Sequence, residues 1–91
     1  FIVGEDARNI NRIWDQLYRA SLPYGRKGLA IMAISAVDLA LWDLVGKVRG
    51  EPVYNLIGGL SRDEITFYCT GPDALAIKEM GFWGAKVPLP H

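Results

Sequence analysis

The chain has 91 residues, enough for one domain at most. Ten Lys and Arg balance ten Asp and Glu, so no net charge draws it to nucleic acid or to an anionic membrane surface. Hydrophobic residues make up 51%, which excludes a disordered chain. That share is high for so small a unit, whose surface must stay largely polar, and some of the apolar surface is expected to face protein outside these residues.

Phe1-Ile2-Val3-Gly4 is a short apolar lead-in. Glu5 or Asp6 is placed to cap a helix, because a carboxylate satisfies free amides and suits the positive helix end. Ile10, Ile13, Trp14, Leu17 and Tyr18 form one stripe, with Arg8, Asn11, Arg12, Asp15, Gln16 and Arg19 mostly opposite. That spacing predicts an amphipathic helix over Ala7–Ala20. Ser21 to Gly28 is a loop punctuated by Pro23, Gly25 and Gly28. Its basic pair, Arg26-Lys27, reads first as a solvated turn and second as a loop reaching toward an anion.

From Leu29 to Val45 nearly every residue is apolar or small, interrupted only by Ser35, Asp38 and Asp43. Leu29, Met32, Ala33, Ala36, Val37, Ala40, Leu41, Leu44 and Val45 keep the i, i+3, i+4 rhythm, and Ile34, Leu39 and Trp42 fill much of the other side. A helix apolar almost all round is expected to be buried. Leu29–Lys47, roughly 28 Å long at about 1.5 Å per residue, is therefore expected to be the core that the rest of the chain covers. A membrane span is rejected, because each of the two aspartates costs about 2.5–3.5 kcal/mol near a bilayer centre. Asp43 and Lys47 stand four apart with the acid first, the favourable order for an ion pair. Asp38 and Asp43 can each be read as a pKa-tuned acid or base, but tying down a neighbouring group is the preferred reading of both.

Gly50 is placed to end this helix. Pro52 opens a short helix to Ile57, which Gly58-Gly59 closes with positive φ angles. No Lys or Ser/Thr follows the glycine pair as a phosphate loop requires. The period then changes. Ile65, Phe67 and Cys69 alternate with Thr66, Tyr68 and Thr70, which predicts a strand over Glu64–Thr70. Gly71-Pro72 breaks it, Asp73 caps a helix over Ala74–Met80, Gly81 ends that helix, and Phe82–Pro88 reads as a second strand. Strand, short helix, strand is a βαβ unit, with parallel strands and a right-handed crossover. Two parallel strands do not stand alone. The expected class is α/β, a helical region leading into the first unit of a sheet or barrel that these residues do not complete. The chain opens on Phe1 and stops at Pro90-His91 straight after strand-like residues, so both ends read as cuts.

In an α/β barrel the chemistry sits at the C-terminal ends of the strands. Those ends are Tyr68-Cys69-Thr70 and Lys86-Val87-Pro88, the latter running into His91. Lys86 is the lone charge of its strand. It either holds a carboxylate or acts as a base, or it snorkels out from a strand end. His91 can serve as a ligand or base, though a lone terminal histidine more often does neither. Cys69 has no basic partner nearby in sequence and reads as a small buried side chain. As the one cysteine, it excludes a disulfide framework and points to a reduced intracellular compartment. No signal peptide is visible. Asp38, Asp43, Asp63, Glu64 and Asp73 form no spaced metal-ligand set.

Ser35-Ala-Val-Asp-Leu-Ala-Leu-Trp-Asp-Leu-Val-Gly-Lys47, followed by Gly50-Glu-Pro-Val-Tyr-Asn-Leu-Ile-Gly-Gly59, resembles the signature of the enolase superfamily in its mandelate-racemase-like group. The resemblance implies an α+β capping region passing into a modified TIM barrel. Residues 1–60 would be the C-terminal helical part of the capping domain and its junction, and 61–91 the first strand, helix and second strand of the barrel. Leu22-Pro-Tyr-Gly-Arg-Lys-Gly28, Phe67-Tyr-Cys-Thr-Gly71 and Lys78-Glu-Met-Gly-Phe-Trp-Gly-Ala-Lys-Val-Pro88 are most similar to the L-rhamnonate dehydratase branch. That branch implies a hydro-lyase. It removes the proton α to a sugar-acid carboxylate, stabilises the enediolate with magnesium, and eliminates water to a 2-keto-3-deoxy acid.

The group's pattern has Lys-x-Lys at the end of the second strand. Lys86-Val87-Pro88 puts proline in the second lysine's place, which argues against two-base racemisation. The resemblance gives Lys86 a carboxylate-binding or electrostatic role and places the catalytic residues and magnesium ligands outside the chain; Thr70 and His91, from their places at the strand ends, are the other substrate-binding candidates. It also implies a small-molecule substrate and a 91-residue chain inactive on its own; with the charge and cysteine readings above, the intact protein is expected to be a cytoplasmic homo-oligomer with no nucleic-acid or membrane partner. Two alternatives stay open: a non-catalytic structural or interaction piece of a superfamily relative, and a racemase or cycloisomerase.

Overall fold

The computed structural model describes residues 2–89, which fall into two compact units, Phe1–Leu60 and Ser61–His91. The first unit is helical. Helix α1 runs Ile10–Ser21, a 3₁₀ turn covers Leu22–Tyr24, α2 runs Leu29–Arg49, and a short α3 covers Val53–Leu56.

Helix α1 begins three residues later than its apolar stripe predicts, and neither expected acid caps it. The Asp6 carboxylate instead accepts hydrogen bonds from the Arg8 backbone N–H at 2.9 Å and from the Arg8 guanidinium at 2.6 Å. This closes a local turn ahead of the helix, and Asn9 stands at the N-cap without a side-chain cap bond. The Arg8 side chain, followed by its backbone N–H, holds the Asp6 carboxyl down to about 2. Because the folded value is depressed, stabilisation from this contact is complete above the ordinary 3.8 and is lost as pH falls through about 2. An NMR titration is expected to find the Asp6 midpoint near 2, and Arg8→Ala to return it toward 3.8. A midpoint already near 3.8 in the unaltered protein contradicts the contact.

The rest of α1 follows its pattern. Ile10 and Ile13 are buried, Trp14 and Tyr18 stack with ring centroids 4.9 Å apart, and Arg19 pairs with Asp15 at 2.8 Å on the outer face. Ile34 and Val45 of α2 complete the buried apolar core of this unit.

The expectation that α2 is buried all round fails. Of its 21 residues only Ile34, Val45 and Gly46 are buried, while Leu29 is 84% and Leu39 70% exposed. Helix α1 packs along α2 and α3 packs against its end at Gly46, while Leu29, Met32, Ala36 and Leu39 stay exposed. Asp43 makes the predicted pair with Lys47 at 2.6 Å. Asp38 is half-buried and has no ion-pair partner among the described residues.

The end of α2 is built as its sequence implies. Gly50 takes the left-handed conformation, φ 66°, and its N–H donates to the carbonyls of Gly46 and Lys47. The Glu51 N–H reaches back to the Gly46 carbonyl at 3.0 Å, completing a Schellman motif. Pro52 sits one place earlier than expected, at the N-cap of α3, and the Gly59 N–H closes α3 on the Tyr54 carbonyl at 2.8 Å. Gly46 is needed for a different reason. A Cβ there would lie 2.9 Å from the Glu51 carbonyl oxygen and 3.5 Å from Val53 Cγ2. Overpacking of this kind costs about 1–3 kcal/mol, against a helix-propensity gain of about 1 kcal/mol for Ala over Gly. Gly46→Ala is expected to lower hydrogen-exchange protection across the α2–α3 junction, and raised protection there would contradict the close approach.

The second unit is strand β1 (Tyr68–Thr70), helix α4 (Ala74–Glu79) and strand β2 (Gly84–Lys86). The strands pair in parallel, as the βαβ reading expects. Asp73 caps α4, its carboxylate accepting from the Leu75 and Ala76 N–H groups, both at 3.0 Å. Ile77 is the buried residue of α4, and its Cδ1 lies 3.3 Å from the position a Cβ on Gly71 would take. Both strands are shorter than predicted. Met80 and Gly81 still belong to the turn that leaves α4, and β2 begins only at Gly84. Glu64 to Thr66 then have nothing to pair with, and the last link at that end is the Trp83 N–H to the Phe67 carbonyl at 3.1 Å. The described residues hold two strands and mixed helix, and no barrel closes among them.

Candidate functional site

The parallel register pairs Tyr68 with Gly84, Cys69 with Ala85 and Thr70 with Lys86. In a parallel pair, side chains in register project to the same face of the sheet. Two of the residues singled out from the sequence, Thr70 and Lys86, are thus neighbours at the C-terminal ends of both strands. The Gly71 N–H carries the ladder one step further, to the Lys86 carbonyl at 3.2 Å. This ties down the backbone beneath the Lys86 ammonium. Both side chains are exposed, and Lys86 has no ion-pair partner among the described residues. A free ammonium and a neighbouring hydroxyl at the end of a rigid strand pair can receive a carboxylate.

The third candidate, His91, lies outside the described residues. Cys69 is half-buried between its neighbours, its thiol 3.8 Å from the Thr70 carbonyl oxygen. Pro88 follows β2 by two residues and supplies no titratable group. No three His, Cys, Asp or Glu side chains among the described residues stand close enough together to hold a metal ion. The residues present therefore do not fit a magnesium centre.

One feature is not visible in the sequence. Arg8 and Asn9, just ahead of α1, and Arg12 in its first turn face Trp42 and Arg49 of α2 across an open cleft of about 480 Å³. The stripe pattern of α1 gives Arg8 and Arg12 only as members of an outward face. Their proximity to Arg49 depends on how the two helices cross, which no local spacing records.

Residues 1–58 match the family model described as mandelate racemase / muconate lactonizing enzyme, N-terminal domain. The chain belongs to this family. The match covers α1, α2 and α3 and ends close to the boundary between the two units. All 91 residues align at 56% identity with a protein of Caldivirga maquilingensis provisionally named L-rhamnonate dehydratase, and they span 23% of its length. Among solved structures, L-rhamnonate dehydratase from Gibberella zeae matches 97% of this chain at 64% identity with a TM-score of 0.88. A second structure of the Gibberella zeae enzyme, complexed with Mg, matches to the same extent. The chain spans 22% of each solved chain. This member of the family thus shares both of its units with the relatives, since the structural match extends well past residue 58 through β1, α4 and β2.

Proposed function

We propose that this chain is part of a magnesium-dependent sugar-acid dehydratase acting on L-rhamnonate or a close analogue. The observation that carries the reading is the 64% identity over 97% of the chain to an enzyme named for that substrate. Residues 1–60 then form the C-terminal helical part of the capping domain and its junction, and residues 61–91 the first strand, helix and second strand of a modified TIM barrel. The exposed face of α2 and the open edges of the β1–β2 pair fit this reading, because each needs a covering layer that lies elsewhere in the polypeptide.

In the reaction, a base takes the proton from the carbon α to the carboxylate. The resulting enediolate expels the β-hydroxyl, which leaves as water on taking a proton from the conjugate acid of that base, and the enol tautomerises to a 2-keto-3-deoxy acid. Magnesium would supply charge stabilisation to the substrate carboxylate, and its ligands belong to residues outside this chain. The Lys86 ammonium holds the substrate carboxylate, the Thr70 hydroxyl adds a hydrogen bond beside it, and His91 is a further contact. Pro88 leaves the end of β2 without a second lysine. Proton removal then falls to a base on a later strand, and elimination through one base is favoured over inversion by two. The intact protein is read as a cytoplasmic homo-oligomer with a small-molecule substrate, without nucleic-acid or membrane partners.

The test is to incubate the full polypeptide with a panel of sugar acids and follow 2-keto acid formation with and without Mg²⁺. Formation from L-rhamnonate that chelation abolishes and Mg²⁺ restores is the expected result, with no turnover by the isolated 91-residue chain. Turnover by the isolated chain, or no keto acid from any sugar acid, overturns the reading.

A further inference from the structure

We draw no further inference here: the strongest candidate, the open cleft of about 480 Å³ between the start of α1 and the end of α2 lined by Arg8, Arg12 and Arg49, carries nothing because Arg8 and Arg12 already pair with Asp6 and Glu5, which leaves Arg49 as a single exposed charge, and nothing in the structure shows what covers it.

Discussion

Lys86→Ala in the full polypeptide is expected to lower kcat/KM for L-rhamnonate dehydration by about a hundredfold, with the fold left intact. Lys86 is exposed at the end of β2, has no ion-pair partner among the described residues, and is backed by a ladder bond from Gly71. Its removal therefore costs little stability. Its proposed work is to meet a carboxylate, and a hydrogen bond to a charged group contributes about 1.5–3 kcal/mol. Each factor of ten in rate corresponds to about 1.36 kcal/mol, so the loss falls between roughly tenfold and somewhat above a hundredfold. The upper part of that range is expected because charge grows on the carboxylate as the enediolate forms, and preorganised charges act most strongly where charge develops. The split between kcat and KM reports which state the ammonium serves. A fall in kcat marks transition-state stabilisation, whereas a rise in KM alone marks uniform binding. Lys86→Arg should recover part of the rate, since it keeps the charge while changing its shape. Thr70→Val should cost less, about tenfold, as a hydrogen bond from a neutral hydroxyl to a carboxylate falls at the lower end of that range, about 1.5 kcal/mol. Unchanged kinetics in Lys86→Ala would remove Lys86 from the site.

The largest structural effect is expected from Ile13→Ala. Ile13 is 2% exposed, the most buried of the five core residues, and shares the core of the first unit with Ile10, Ile34 and Val45. Truncating such a side chain loses its transfer free energy and leaves a cavity, for a total of about 2–5 kcal/mol. A core of four apolar residues has little surplus against a typical domain stability of about 5–15 kcal/mol. The α1 and α2 amides should therefore lose hydrogen-exchange protection together, by two to four orders of magnitude. Native-like protection of α1 in Ile13→Ala would mean that the first unit is held by surfaces other than this core.

Much of the local structure is legible in the residues. Gly50 and Asp73 end and begin their helices for reasons of backbone conformation and amide satisfaction, which act within a few residues. The parallel β1–β2 pair follows from the short helix between two strand-like runs. Where a contact competes for the same side chain, the pattern misleads. Asp6 is a good cap by type, yet Arg8 two residues on captures its carboxylate, and α1 starts late. The apolar run of α2 shows that both of its faces avoid water. It does not say which protein covers them, and within its unit only Ile34, Val45 and Gly46 of α2 are buried. The adjacency of Thr70 and Lys86 was half visible: both mark strand ends, but their pairing depends on a register fixed by where the turn after α4 releases the chain.

If this chain belongs, as proposed, to an enzyme that eliminates water from a sugar acid through one base, the products formed from L-rhamnonate reveal it. With the full polypeptide and Mg²⁺, NMR of the reaction mixture is predicted to contain the 2-keto-3-deoxy acid and unreacted substrate of unchanged configuration. Accumulation of the α-carbon epimer without loss of water would contradict the account.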